Sequence, residues 1–360
     1  MCNSFNLVAA TYDPLGIMVD PRASRANHSC KPNACMVYDG ARVELRALER
    51  FEPGKEILLS YIDENGPFGV RQYQLKTKYR FTCTCARCAL GLDDPADALL
   101  PVSKKFMGRT QLPNFPSHNP QRMGRPRDPQ HLLGDSRELA MLGALQSMAY
   151  DALNGQIEAS HGMPAQEAML DVLLQSGAWK LTRGPVPELL RVQMVAWLTM
   201  ADFDSAFVAA LKLYALVDPV LHPQSFHPVR VVHTWLLAQL TRFLATETES
   251  SVYKYCRARE INLPLASLPL VKEVYDNVTR SHGRQSGFGK MVGRAYNELI
   301  EHISAISPDV ATVNVMAVET ILPQLKALAE DKVFERAVDW IRRGEKAVER
   351  RNAAAAVIRV

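Results

Sequence analysis

Three thiols fall within six residues, in Phe81-Thr82-Cys83-Thr84-Cys85-Ala86-Arg87-Cys88, and this cluster constrains the fold more than any other feature of the chain. A turn of backbone brings sulfurs at this spacing to one point, and thiolates with tetrahedral spacing suit Zn²⁺. A structural zinc site is closed and four-coordinate, so a fourth ligand must come from elsewhere. Cys30 is the best candidate and Cys35 the alternative. Of the seven cysteines, only Cys256 lies beyond the first quarter of the chain. An odd, clustered set of this kind reads as metal ligation rather than a secreted disulfide framework.

Composition narrows the class. Hydrophobic residues make up 47% of the 360 residues and charged residues 22%, ordinary values for a globular protein. No apolar run approaches the roughly 20 residues of a membrane helix. Met1 to Ala10 lacks the basic and apolar segments of a secretory signal. A net charge of +4 without a basic run argues against direct nucleic-acid binding. The expected protein is intracellular, in the nucleus and/or cytoplasm, monomeric, and without membrane association.

Periodicity divides the chain. Met36-Val37-Tyr38 and Arg42-Val43-Glu44-Leu45-Arg46 flank Asp39-Gly40, which predicts a two-residue hairpin. Ile57-Leu58-Leu59-Ser60-Tyr61 reads as a short apolar strand after the Glu52-Pro53-Gly54 turn, and residues 66–80 as a short helix. Residues 93–130 hold seven prolines and almost no apolar period, which predicts a linker. From about residue 135 the period is helical, with helices expected near 187, up to Val217, from Pro228, and over 267–281, 289–304, 311–329 and 332–343. Gly287-Phe288-Gly289 reads as a helix-start turn rather than a nucleotide-binding loop. His222, His227 and His233 are assigned to capping or packing, and Trp179, Trp197, Trp235 and Trp340 to the core.

Asn27-His28-Ser29-Cys30-Lys31-Pro32-Asn33 packs turn formers around one histidine and one cysteine. Taken with Gly54-Lys55-Glu56-Ile57-Leu58-Leu59-Ser60-Tyr61 and the three-thiol cluster, in that order, it resembles the SET-and-MYND protein-lysine methyltransferases. Asn3-Ser4-Phe5 also fits that family's Asn-Ser-Phe element. The resemblance covers residues 1–90 closely and extends more loosely through Phe226-His227-Pro228-Val229-Arg230.

That resemblance implies an α+β protein: a partial, β-rich SET domain with a post-SET zinc site, followed by an all-α, helical-hairpin (TPR-like) domain. The expected divisions are 1–65 for the C-terminal part of the SET domain and 66–92 for the post-SET segment. The linker would cover 93–130 and the helical domain 131–360. In the family, the Asn-His-Ser-Cys loop and the strand ending in Ser-Tyr pass through one another. By the same carry-over Asn3, Asn27, His28, Tyr61 and Phe81 would contact S-adenosylmethionine. Phe5, Tyr61 and Tyr79 would wall the lysine channel, and Cys30, Cys83, Cys85 and Cys88 would hold zinc. The implied function is S-adenosylmethionine-dependent methylation of lysine in a histone or non-histone protein.

Methyl transfer from a sulfonium to an amine is an in-line displacement that needs alignment more than acid–base force. The lysine must arrive neutral, which a narrow aromatic channel favours by desolvating the ammonium form. Tyr61 would orient the amine or polarise the methyl group. The family pattern opens with a Gly-x-Gly strand and an inserted MYND zinc module, both expected ahead of Asn3. On that expectation the chain starts inside the catalytic domain and binds the cofactor weakly by itself. The competing expectation is a non-catalytic, zinc-stabilised remnant acting as a helical protein-interaction scaffold.

Overall fold

A computed structural model of the chain describes residues 5–8, 14–40, 42–100, 136–153, 162–307 and 309–339. It is mostly helical with a small β portion, an α+β architecture. Two compact units divide it: Met1–Ala196 with Leu216–Pro228, and Trp197–Ala215 with Val229–Val360. Among the described residues no helix is long and apolar enough to cross a membrane.

Among the described residues the first unit holds six short strands in three pairs. Strands β1 (Phe5–Val8) and β2 (Pro14–Met18) run antiparallel, with Phe5 opposite Met18. Strands β4 (Ala34–Asp39) and β5 (Arg42–Ala47) form the expected hairpin. Asp39 pairs with Arg42, so the turn starts at Gly40, one residue later than read from sequence. Gly40 takes φ +58°, which costs least without a Cβ. Strands β3 (Asn27–His28) and β6 (Leu58–Leu59) pair in parallel, so the predicted strand over 57–61 shortens to two residues. Leu59 is buried with Ala26 and Ala34 at this crossing.

A helix at Phe68–Gln74 follows and continues as a wider turn through Tyr79, ending at left-handed Arg80. Helices Ser136–Leu153 and Gly162–Ser176 pack on one another and bury Leu142, Leu145, Met169 and Leu173. Tyr150 and Leu153 meet Val70 and Tyr73 of the 68–74 helix. Of the segment read as a linker, residues 101–130 lie outside the described residues. Residues 93–100 form a short helical turn over Pro95–Asp97, and the Leu100 N–H then donates to the Ala178 carbonyl (2.9 Å).

The second unit is built of helices that start where side chains can satisfy their free N–H groups. Asp202, Ser250, Asn262, Ser286 and Asp309 each accept from the backbone N–H three residues on. The helix expected from 267 begins at Leu263, because Asn262 caps it and Pro264 sits in the first turn, where no N–H is needed. Gly287-Phe288-Gly289 does open a helix, Gly287–Ile306. Val231 and Trp235 pack with Val274, Val278, Val292 and Ala295. Trp179 is buried in the first unit and Trp197 half-buried in the second, while Trp340 lies outside the described residues.

Candidate functional site

The β3–β6 pairing positions the candidate site. Ser29 N–H donates to the Leu59 carbonyl (2.9 Å) and Asn33 N–H to the Leu58 carbonyl (3.2 Å), continuing the ladder past the strands. The buried Asn33 side chain then clamps the same segment twice. Its Nδ2 donates to the Glu56 carbonyl (2.9 Å) and its Oδ1 accepts from Leu58 N–H (2.8 Å). The Asn-His-Ser-Cys segment and the segment leading to Tyr61 therefore lie hydrogen-bonded side by side.

Tyr61 leaves this crossing with its groups held on three sides. Its N–H donates to His28 Nδ1 (3.0 Å), its hydroxyl donates to the Ala26 carbonyl (2.6 Å), and its carbonyl accepts from the Tyr79 hydroxyl (3.1 Å). Three other rings surround it: His28 at 5.3 Å between centroids, Tyr79 at 5.0 Å and Phe81 edge-on at 6.5 Å. Because the Tyr61 proton points at a carbonyl, the hydroxyl oxygen can present only lone pairs to a further group. Burial, with the nearby Arg71 cation, lowers the His28 imidazole to about 4, so it is neutral at physiological pH. Its Nε2 lies 3.3 Å from Cys30 Sγ, which leaves Asn27 as the exposed side chain of this pair. Asn27 Nδ2 bonds Glu56 Oε1 (2.5 Å).

Beneath these rings Cys30, Cys83, Cys85 and Cys88 place their sulfurs within 4.8 Å of one another. Cys30 and Cys88 are 3.5 Å apart. Cys30, not Cys35, is the loop cysteine that joins the cluster; the Cys35 thiol instead faces the Arg46 carbonyl at 3.7 Å. Burial pushes the Cys30 thiol well up and Cys88 up to about 11, whereas backbone hydrogen bonds from Cys88 and Cys30 outweigh burial at Cys85 and bring it down to about 6. Four sulfurs so packed could ionise together only around a cation that holds their charge, and the donor set suits Zn²⁺. Gln72 fixes Cys83 by bonding both its backbone groups, at 2.8 and 3.0 Å.

Behind the cluster stands a buried ion-pair knot that the sequence reading missed. Arg71 lies 3.3 Å from Asp94 and 3.6 Å from Asp97, and donates to the Gly66 carbonyl (2.6 Å). Arg87 Nε meets Asp94 at 2.6 Å. All of these except Arg87 are buried, which ties residues 94–97 to the segment carrying the thiols.

Of the other expected site residues, Phe5 opens β1, and Asn3 lies outside the described residues.

Residues 6–62 match the family model described as "SET domain", which spans β1 through the turn after Tyr61. The segment is part of a SET domain. The chain is similar to "SET domain and MYND-type zinc finger protein 6" of Schizosaccharomyces pombe, 28% identical over 74% of this chain and 43% of that protein. It is also similar to chicken "N-lysine methyltransferase SMYD2", 38% identical over 25% of this chain and 20% of that protein. Mouse "Histone-lysine N-methyltransferase SMYD3" is 37% identical over 28% and 23%. The chain is thus similar to SET-and-MYND proteins, the family its motifs resemble. It spans less than half the length of these relatives.

Proposed function

We propose that this chain carries the site of an S-adenosylmethionine-dependent protein-lysine N-methyltransferase. The observation that carries the reading is the Tyr61 hydroxyl, fixed by the Ala26 carbonyl among the rings of His28, Tyr79 and Phe81. An oxygen held in this way offers lone pairs that orient a neutral amine by accepting its N–H, and that favour a methyl group bearing partial positive charge. The surrounding rings disfavour an ammonium there by excluding water. Relatives whose names state lysine methylation support the same reading.

S-adenosylmethionine, when bound, supplies the methyl group. The residues present fit it: Asn27 offers an exposed amide and Phe81 a half-buried ring, with Asn3 as a third contact by resemblance. His28 contributes through its backbone, since both ring nitrogens already face partners in the chain. Phe5, Tyr61 and Tyr79 would line the lysine path. Zinc on Cys30, Cys83, Cys85 and Cys88 would tie the post-SET segment to the Asn27–Asn33 loop and hold Phe81 in place. The helical part is TPR-like on this reading and would present the protein substrate, with the divisions at 65, 92 and 130 retained. The protein would act within the cell, in nucleus or cytoplasm, as a monomer without nucleic acid.

Incubation with methyl-labelled S-adenosylmethionine and lysine-containing histone or peptide mixtures tests this directly. Label on lysine that Tyr61→Phe reduces supports the reading. Zinc retention without any transfer would instead favour a zinc-held interaction scaffold.

A further inference from the structure

A second group of metal-ligand side chains lies in the same unit, apart from the four thiols. Glu64, His222 and His227 each direct a ligand atom to within 4.8 Å of the other two. His222 and His227 are buried, and their rings stack with centroids 4.1 Å apart at 16°. Local backbone explains the pairing. His222 ends the short helix Asp218–Leu221, its N–H on the Asp218 carbonyl (2.8 Å), and His227 N–H donates to the Gln224 carbonyl (2.9 Å). Each histidine precedes a proline, which disfavours helical backbone at the histidine and turns the chain back between them. Leu216–Pro228 belongs to the same compact unit as Glu64, although the residues on either side do not.

We infer that Glu64, His222 and His227 form a binding site for a divalent first-row cation of the zinc class, separate from the cysteine site. Two imidazoles and one carboxylate are a donor set that zinc accepts, and three protein ligands leave a position for water. Zinc holds such ligands at about 2.0–2.2 Å, and the three ligand atoms already lie within 4.8 Å of one another. A carboxylate set against two stacked, buried imidazoles is costly unless its charge is met. Arg87, whose charge acts on Glu64, is already engaged with Asp94 and with the Glu64 backbone carbonyl. The Ser60 hydroxyl donates to the Ile62 carbonyl (2.8 Å) and brings no charge. A bound cation would pin the His222–His227 loop to the segment three residues after Tyr61. This inference does not depend on methyl transfer.

The test counts metal on the full chain, stripped and then equilibrated with zinc. The wild type should hold one more zinc than His222→Gln/His227→Gln. Cobalt substitution separates the sites, because only the cysteine site gives thiolate-to-cobalt charge-transfer bands, and these should persist in the double variant. Equal zinc counts in wild type and double variant would overturn the inference. If the double variant loses its fold by circular dichroism, Glu64→Gln decides. It keeps the side-chain shape and should weaken the second zinc by about 10-fold or more, as loss of a ligand must cost at least what loss of a supporting residue does. Unchanged affinity in that variant would equally overturn it.

Discussion

The Tyr61 hydroxyl donates to the Ala26 carbonyl across 2.6 Å, joining a residue two positions past β6 to the residue just before β3. This one bond both fixes the oxygen and braces the crossing. Tyr61→Phe should therefore act on two readouts. Loss of a part-buried hydrogen bond should lower stability by about 0.5–1.5 kcal/mol. Methyl transfer should fall about tenfold or more, equivalent to about 1.4 kcal/mol of barrier. Thermal melts and labelled-methyl assays separate the two.

Asn33 is the polar rivet of the same crossing. Asn33→Ala removes both side-chain hydrogen bonds to the Glu56–Leu58 segment and leaves the Leu58 N–H and the Glu56 carbonyl without those partners. The expected loss is about 1–3 kcal/mol by urea unfolding. Asn33→Asp should recover only part of it, since a carboxylate can still accept from Leu58 N–H but is set against the Glu56 carbonyl.

Cys30 and Cys35 lie five residues apart, and only the first points at the thiol cluster. Cys30→Ser should lose the cysteine-bound zinc while Cys35→Ser retains it. Metal analysis of the two purified variants, with equal retention as the contrary result, decides the ligand set.

Arg71 has no exposed surface and faces two buried carboxylates. Arg71→Met should destabilise the first unit by about 3–5 kcal/mol, because Asp94 and Asp97 lose the cation that compensates them. Pairing it with Asp94→Asn should return part of that loss, a non-additive result that a double-mutant cycle measures.

Gly289 leaves no room for a side chain: a Cβ there would lie 2.2 Å from the Gly283 carbonyl oxygen and 2.8 Å from that of Arg284. Gly289→Ala should cost about 1–3 kcal/mol or more as the helix start shifts, readable as a lower melting temperature.

The parts of the site legible in the sequence were those whose chemistry is written locally. Three thiols in six residues, a histidine–cysteine turn and a tyrosine after an apolar strand each announce themselves without a fold. The hairpin was legible too, with its loop one residue off because Gly40 occupies the first loop position, not the second. The Arg71 knot was not legible. A lone arginine on a short helix and two aspartates in a proline-rich stretch look solvated until the fold buries them together. Glu64, His222 and His227 were missed for the same reason: each has an ordinary local role, and only the return of the Leu216–Pro228 segment to the first unit brings them together.

The crossing of β3 with β6, closed further on by Cys88, also sets an order of assembly as the chain leaves the ribosome. Asn27 and His28 cannot find their strand partners until Leu58 and Leu59 have emerged, and the sulfur of Cys30 must wait for residues 83–88. Until then the buried face of Ala34 and the strand edge at Asn27 remain open to other nascent segments, a period in which aggregation competes with folding. Synthesis rate thus becomes part of what determines the yield of native protein.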